Sequence, residues 1–140
     1  MIDSQNRIRE KQYREYLKSE IEAAAIYGVL AAVESDSNRS DVFHGLVQAE
    51  MRHATRWAEK LGVDTDCLKP TGNVLKLRLI GWIAKLFGTD RVIPILVRAE
   101  AKEIGAYASD SEARDFAIEQ RQHFRILRGL VESNNNSGMA

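Results

Sequence analysis

Cysteine, proline and long apolar runs are scarce in this chain, and each scarcity closes off a class of protein. The single Cys67 excludes an internal disulfide framework and a cysteine-rich metal site, and it suits a reducing compartment. No stretch of ~18 uncharged apolar residues occurs, so no membrane-spanning helix is expected. The charged segment from Met1 to Arg14 does not read as a secretory leader. Twenty Lys plus Arg balance twenty Asp plus Glu, which leaves no bulk field to draw nucleic acid. A cytoplasmic chain is expected, and 140 residues suffice for one core.

With only Pro70 and Pro94 to interrupt them, helices are expected over most of the length, and strands find little support. A first helix over 4–34 carries Leu17, Glu20, Ile21, Ala24, Tyr27 and Ala31 on one stripe and ends in the turn-forming Ser35-Asp36-Ser37-Asn38. A second, over 40–61, is capped by Ser40 or Asp41 and stopped by Gly62, with Phe43, Leu46, Val47, Ala54, Trp57 and Leu61 inward. A third runs over 91–108 with Pro94 tolerated in its first turn, on a stripe of Ile93, Leu96, Val97, Ile104 and Tyr107. A fourth starts after Ser109, where Ser109 and Glu112 have the spacing of a capping box. It runs to 132 on Ala113, Phe116, Ala117, Phe124, Leu127 and Leu130.

Short connections make the first two helices antiparallel, and likewise the last two. The roughly 28-residue link between second and third can cross a whole bundle and sets those two parallel. Inside it, Val74 to Phe87 reads as a short extra helix dense in Leu, Ile and Trp. Its apolar face is expected against the bundle or a second copy, which makes a homodimer the expected assembly; Lys76, Arg78 and Lys85 keep membrane contact open. The reading is an all-α four-helix bundle over 1–132 with a polar tail over 133–140.

Ionisable and amide side chains interrupt all four stripes at positions the helical period assigns to the core. They are Glu20; Glu50 and His53; Glu100 and Glu103; Gln120 and His123. A buried carboxylate stays ionised only beside a cation, and no Lys or Arg shares these stripes. Metal ions are the simplest neutralisation, and two divalent ions balance four carboxylates. Residues three apart, as Glu50 with His53 and Gln120 with His123, grip one ion or bridge two. Oxygen with imidazole suits iron, manganese or zinc better than calcium or magnesium, and a paired carboxylate-rich site favours iron. The competing reading is a polar network that only fixes helix register. His44 falls outside the ligand spacing and reads as a surface histidine, and Cys67 as an ordinary thiol.

These residues resemble the ferritin-like superfamily and, within it, the rubrerythrin branch. That branch has a Glu on the first helix, Glu-x-x-His on the second, a Glu with a further Glu three residues on in the third, and Glu-x-x-His on the fourth. Glu20, Glu50-Met51-Arg52-His53, Glu100, Glu103 and His123 match, and the likeness spans residues 10–132. Gln120-Arg121-Gln122-His123 departs, because a neutral amide stands where the family has Glu. Lacking a cysteine-rich iron domain, the chain is most similar to the rubrerythrin-type domain that precedes the vacuolar-iron-transporter-like membrane domain of membrane-bound ferritins. The resemblance implies a site on the cytoplasmic face of a membrane, with a membrane transporter domain C-terminal to the chain.

It also implies a di-iron site in which Glu20 and His53 hold one iron and Glu100 and His123 the other. Glu50 bridges, Glu103 moves between metals, Gln120 is a weakened ligand, and Tyr27 and Tyr107 bond the carboxylates. Ferrous iron would be oxidised by dioxygen or hydrogen peroxide, as in a ferroxidase or a rubrerythrin-like peroxidase, with Glu20, Glu50 and Glu103 as the reacting carboxylates. Manganese or zinc are substitutes. Two other readings stand beside this one: a module that senses iron or hands it to a transporter without turnover, and a dimerisation domain whose metals only hold the helices.

Overall fold

The structure, a computed structural model, describes residues 2–137. Five α-helices follow in order, α1 (Ile2–Val33), α2 (Ser37–Leu61), α3 (Val74–Phe87), α4 (Ile93–Ala108) and α5 (Arg114–Ser137), with no strand among the described residues. The all-α expectation therefore holds. The chain groups into two compact units, one ending at Gly81 and the other beginning at Trp82, so that α3 contributes to both.

The first unit is built on the antiparallel hairpin of α1 and α2. Its turn is fixed by side chains: Asp36 accepts from the backbone N–H of Asn38 at 2.9 Å and of Arg39 at 3.2 Å. The cap is thus Asp36, and not Ser40 or Asp41 as expected, and Ser37 and Asn38 already belong to the helix. Ser40 instead donates its hydroxyl to the Ala31 carbonyl at 2.7 Å, satisfying an orphan acceptor at the end of α1. Arg39 adds a bond to Glu34 at 3.2 Å. At the far end of α2, Gly62 takes φ 70°, and Val63 N–H reaches back to the Ala58 carbonyl at 2.9 Å. That is the left-handed helix stop expected of a glycine.

Between the helices, Trp57 is fully buried, with Tyr13 stacked on it at 5.4 Å and Tyr16 tilted at 4.8 Å. Phe43, Leu46, Tyr27 and Leu30 close the core further along the hairpin. Asn73 caps α3, its side chain accepting from Lys76 N–H at 3.2 Å. Gly81 lets α3 approach α1, since a Cβ there would stand 3.1 Å from a methyl of Val29.

In the second unit α4 starts with Pro94 in its first turn, as expected. The link to α5 does not form the capping box. Ser109 turns its hydroxyl back to the Ala106 carbonyl at 2.9 Å, and Asp110 accepts from Glu112 N–H at 3.0 Å. Asp110 thus occupies the turn position that the pattern assigned to Ser109, and α5 begins later, at Arg114. Tyr107 and Phe116 meet at 5.6 Å, and Ile93, Leu96 and Leu127 are buried on the same pair of helices. α5 continues to Ser137, so the expected tail from 133 is helical over most of its length, and its last three residues lie outside the described residues.

Candidate metal centre

In the first unit, α1 supplies Glu20 and α2 supplies Glu50 and His53. The three-residue spacing on α2 turns both of its side chains toward α1. All three are buried, at 0%, 0% and 1% exposure. His53 Nδ1 stands 3.5 Å from a Glu20 oxygen and 3.8 Å from a Glu50 oxygen, and one ligating atom from each of the three residues falls within 4.8 Å of the others. Atoms sharing one ion at ~2.1 Å stand roughly 3 to 4.2 Å apart, so the two His53 spacings fit a common ion.

Charge makes the same argument. The buried polar and charged side chains among the described residues are Glu20, Glu50, His53, Thr89, Glu100, Gln120 and His123, with no Lys or Arg. Even a protonated His53 leaves two carboxylates against one cation. A divalent ion beside a neutral imidazole balances the two charges in full.

The second unit carries Glu100 on α4 and His123 on α5, at 3% and 6% exposure, with His123 Nδ1 3.9 Å from Glu100. One helical turn along the pair, Gln120 is fully buried and donates its amide N–H to the half-buried Glu103 carboxylate. The Gln120 amide oxygen is buried and has no hydrogen-bond partner among the described residues. Gln120 thereby holds one carboxylate by its nitrogen while offering a neutral oxygen. Glu119, its neighbour, stays half-buried on a continuous helix, so no register shift carries it into the place of Gln120.

Compared with known proteins, the chain matches no family model, no curated protein and no solved structure.

Every ligand candidate from the sequence is thus buried or half-buried, in two sets: Glu20, Glu50 and His53 in one unit, and Glu100, Glu103, Gln120 and His123 in the other. Tyr27 and Tyr107 are fully buried on the helices that bear Glu20 and Glu100. His44 and Cys67 are exposed, as expected of residues outside the site. The Gln120–Glu103 bond went unnoticed in the sequence, although the signal was there. On an antiparallel pair, the residue three after Glu100 comes opposite the residue three before His123.

Proposed function

We propose that this chain is a ferritin-like, rubrerythrin-type iron-binding domain of the four-helix-bundle class, with one set of iron ligands in each of its two units. The observation that carries the proposal is the set of Glu20, Glu50 and His53, buried together with no buried Lys or Arg among the described residues to neutralise them. Glu20, Glu50 and His53 hold the tighter ion. Glu100 and His123 hold the second, more weakly, because Gln120 brings no charge and occupies Glu103. Bound iron supplies one-electron chemistry toward dioxygen or hydrogen peroxide. The chain contributes buried carboxylates and imidazoles, and Glu103, only half-buried, is the carboxylate whose bond from Gln120 a bound ion would have to displace. Ferrous iron is then the substrate, and the resemblance suggests that the product feeds an iron exporter.

A second reading is a sensing or delivery module that binds iron without turnover, and the Gln120–Glu103 bond favours it, since it withholds a carboxylate from the second position. The two separate in one experiment. Metal-free protein is loaded anaerobically with ferrous iron, bound iron is counted per chain, and oxidant is added while the near-ultraviolet absorbance of ferric iron is followed. Two irons with rapid oxidation support the oxidase or peroxidase reading. One iron, with oxidation only after Gln120→Glu, supports the module, and no binding in either form removes both.

A further inference from the structure

The hydrophobic surface of this chain is concentrated on one helix. Of the eleven large hydrophobic side chains exposed among the described residues, six lie on the fourteen-residue α3: Val74, Leu75, Leu79, Trp82, Leu86 and Phe87. Leu75, Leu79, Trp82 and Leu86 follow steps of four, three and four, which places them on one narrow stripe along the helix. They are 76%, 59%, 67% and 59% exposed. The opposite side holds Ile80 and Ala84, both buried, so the expectation that this helix packs by its apolar face is met on one side only.

The charges on α3 are all of one sign. Lys76, Arg78 and Lys85 are exposed, and Val74–Phe87 contains no Asp or Glu. At ~100° per residue, Arg78 and Lys85 border the stripe on one side and Lys76 lies beyond its other edge. An apolar stripe with Trp and Leu, flanked by cations, is the pattern of a helix lying in the plane of an anionic lipid surface. The helix is too short to do more: fourteen residues rise ~21 Å against a hydrocarbon core of ~30 Å. Among the described residues no helix is long and apolar enough to cross a membrane.

We infer that α3 docks this chain on an anionic membrane surface, with Leu75, Leu79, Trp82 and Leu86 entering the headgroup boundary and Lys76, Arg78 and Lys85 meeting lipid phosphates. Charge argues against a second copy as the occupant. Antiparallel pairing of two such stripes sets Arg78 of each copy beside Lys85 of the other, and parallel pairing sets Lys76 beside Arg78. No acidic residue on the helix answers either contact, whereas anionic headgroups answer all three cations. The inference stands on α3 alone and does not depend on what the buried carboxylates bind.

The two tryptophans provide the test, because Trp57 is fully buried and Trp82 is largely exposed. The 140-residue chain is titrated with phosphatidylcholine vesicles containing about one-third phosphatidylglycerol and with pure phosphatidylcholine, following Trp emission and vesicle flotation. The expected result is a blue shift and flotation with anionic vesicles, weakened by high salt. Leu75→Gln/Leu79→Gln should bind about tenfold less or worse. Lys76→Gln/Arg78→Gln/Lys85→Gln should lose roughly fivefold per residue, about a hundredfold together. All these positions are exposed, and circular dichroism confirms that each variant keeps its helices. Equal binding to neutral vesicles, or no binding to anionic ones, overturns the inference. So does a blue shift without vesicles that rises with protein concentration alongside a dimer in sedimentation, which assigns the stripe to a second copy.

Discussion

Replacing Gln120 by Glu changes one atom pair and should reverse the response of the fold to metal. In the metal-free protein the fully buried Gln120 amide donates to the Glu103 carboxylate. Gln120→Glu removes that charge-assisted bond, a loss of ~1.5 to 3 kcal/mol. It also sets two carboxylates in contact, a repulsion of up to ~4 kcal/mol at an effective dielectric of ~20 and ~4 Å. Proton uptake by the pair limits the sum, so a net destabilisation of roughly 2 to 4 kcal/mol is expected, seen as a fall in Tm of about 6 to 12 °C for a chain of this size. With saturating manganese or ferrous iron the order should invert, because the added carboxylate then faces a cation and Glu103 is released to bind it. The assay is thermal unfolding of both proteins with and without metal, with metal affinity measured by calorimetry. A Gln120→Glu protein that melts with the parent in the absence of metal and gains nothing from its presence refutes the reasoning.

Other consequences are simpler to read. Glu50→Leu should sharply weaken metal binding in calorimetry while leaving the metal-free protein about as stable, because Glu20 still faces His53 at 3.5 Å and one of two mutually repelling buried carboxylates is gone; a loss of ~3 to 5 kcal/mol would mean that Glu50 is there for the fold. Asp36→Ala should cost ~0.5 to 2 kcal/mol in denaturant unfolding through loss of the α2 cap, whereas Asp41→Ala should cost little. Gly62→Ala forces an L side chain to φ 70° and should cost ~1 kcal/mol by the same measure. Acidification should release metal, since protons compete for the same carboxylates and imidazoles, and a metal affinity independent of pH would place the metal elsewhere.

The parts of this molecule that were legible in its sequence are those governed by short-range periodicity. The 3.6-residue repeat located α3 over the same Val74–Phe87 that the structure shows, and it placed Glu20, Glu50, His53, Glu100, Gln120 and His123 on inward faces where all six are buried. Helix starts were harder, because several side chains compete for the same orphan N–H groups. Asp36 captured two of them, leaving Ser40 to serve the preceding helix, and Asp110 displaced Ser109 in the same way. A repeat also cannot say which side of a helix is covered when apolar residues extend around most of it. On α3 both sides are hydrophobic, so only the structure separates buried Ile80 and Ala84 from exposed Leu79 and Trp82. The Gln120–Glu103 bond depends on the register of two helices, so it becomes legible only once Glu100 is set opposite His123 on the antiparallel pair.

Buried Glu20, Glu50 and His53 are the proposed metal ligands. Anomalous diffraction at the iron edge from crystals loaded anaerobically with ferrous iron tests that assignment most directly. A strong peak enclosed by these three side chains, within ~2.3 Å of their ligating atoms, is expected, and it should disappear in His53→Ala. Iron found only at exposed acidic residues, with the three side chains undisturbed, would contradict the assignment.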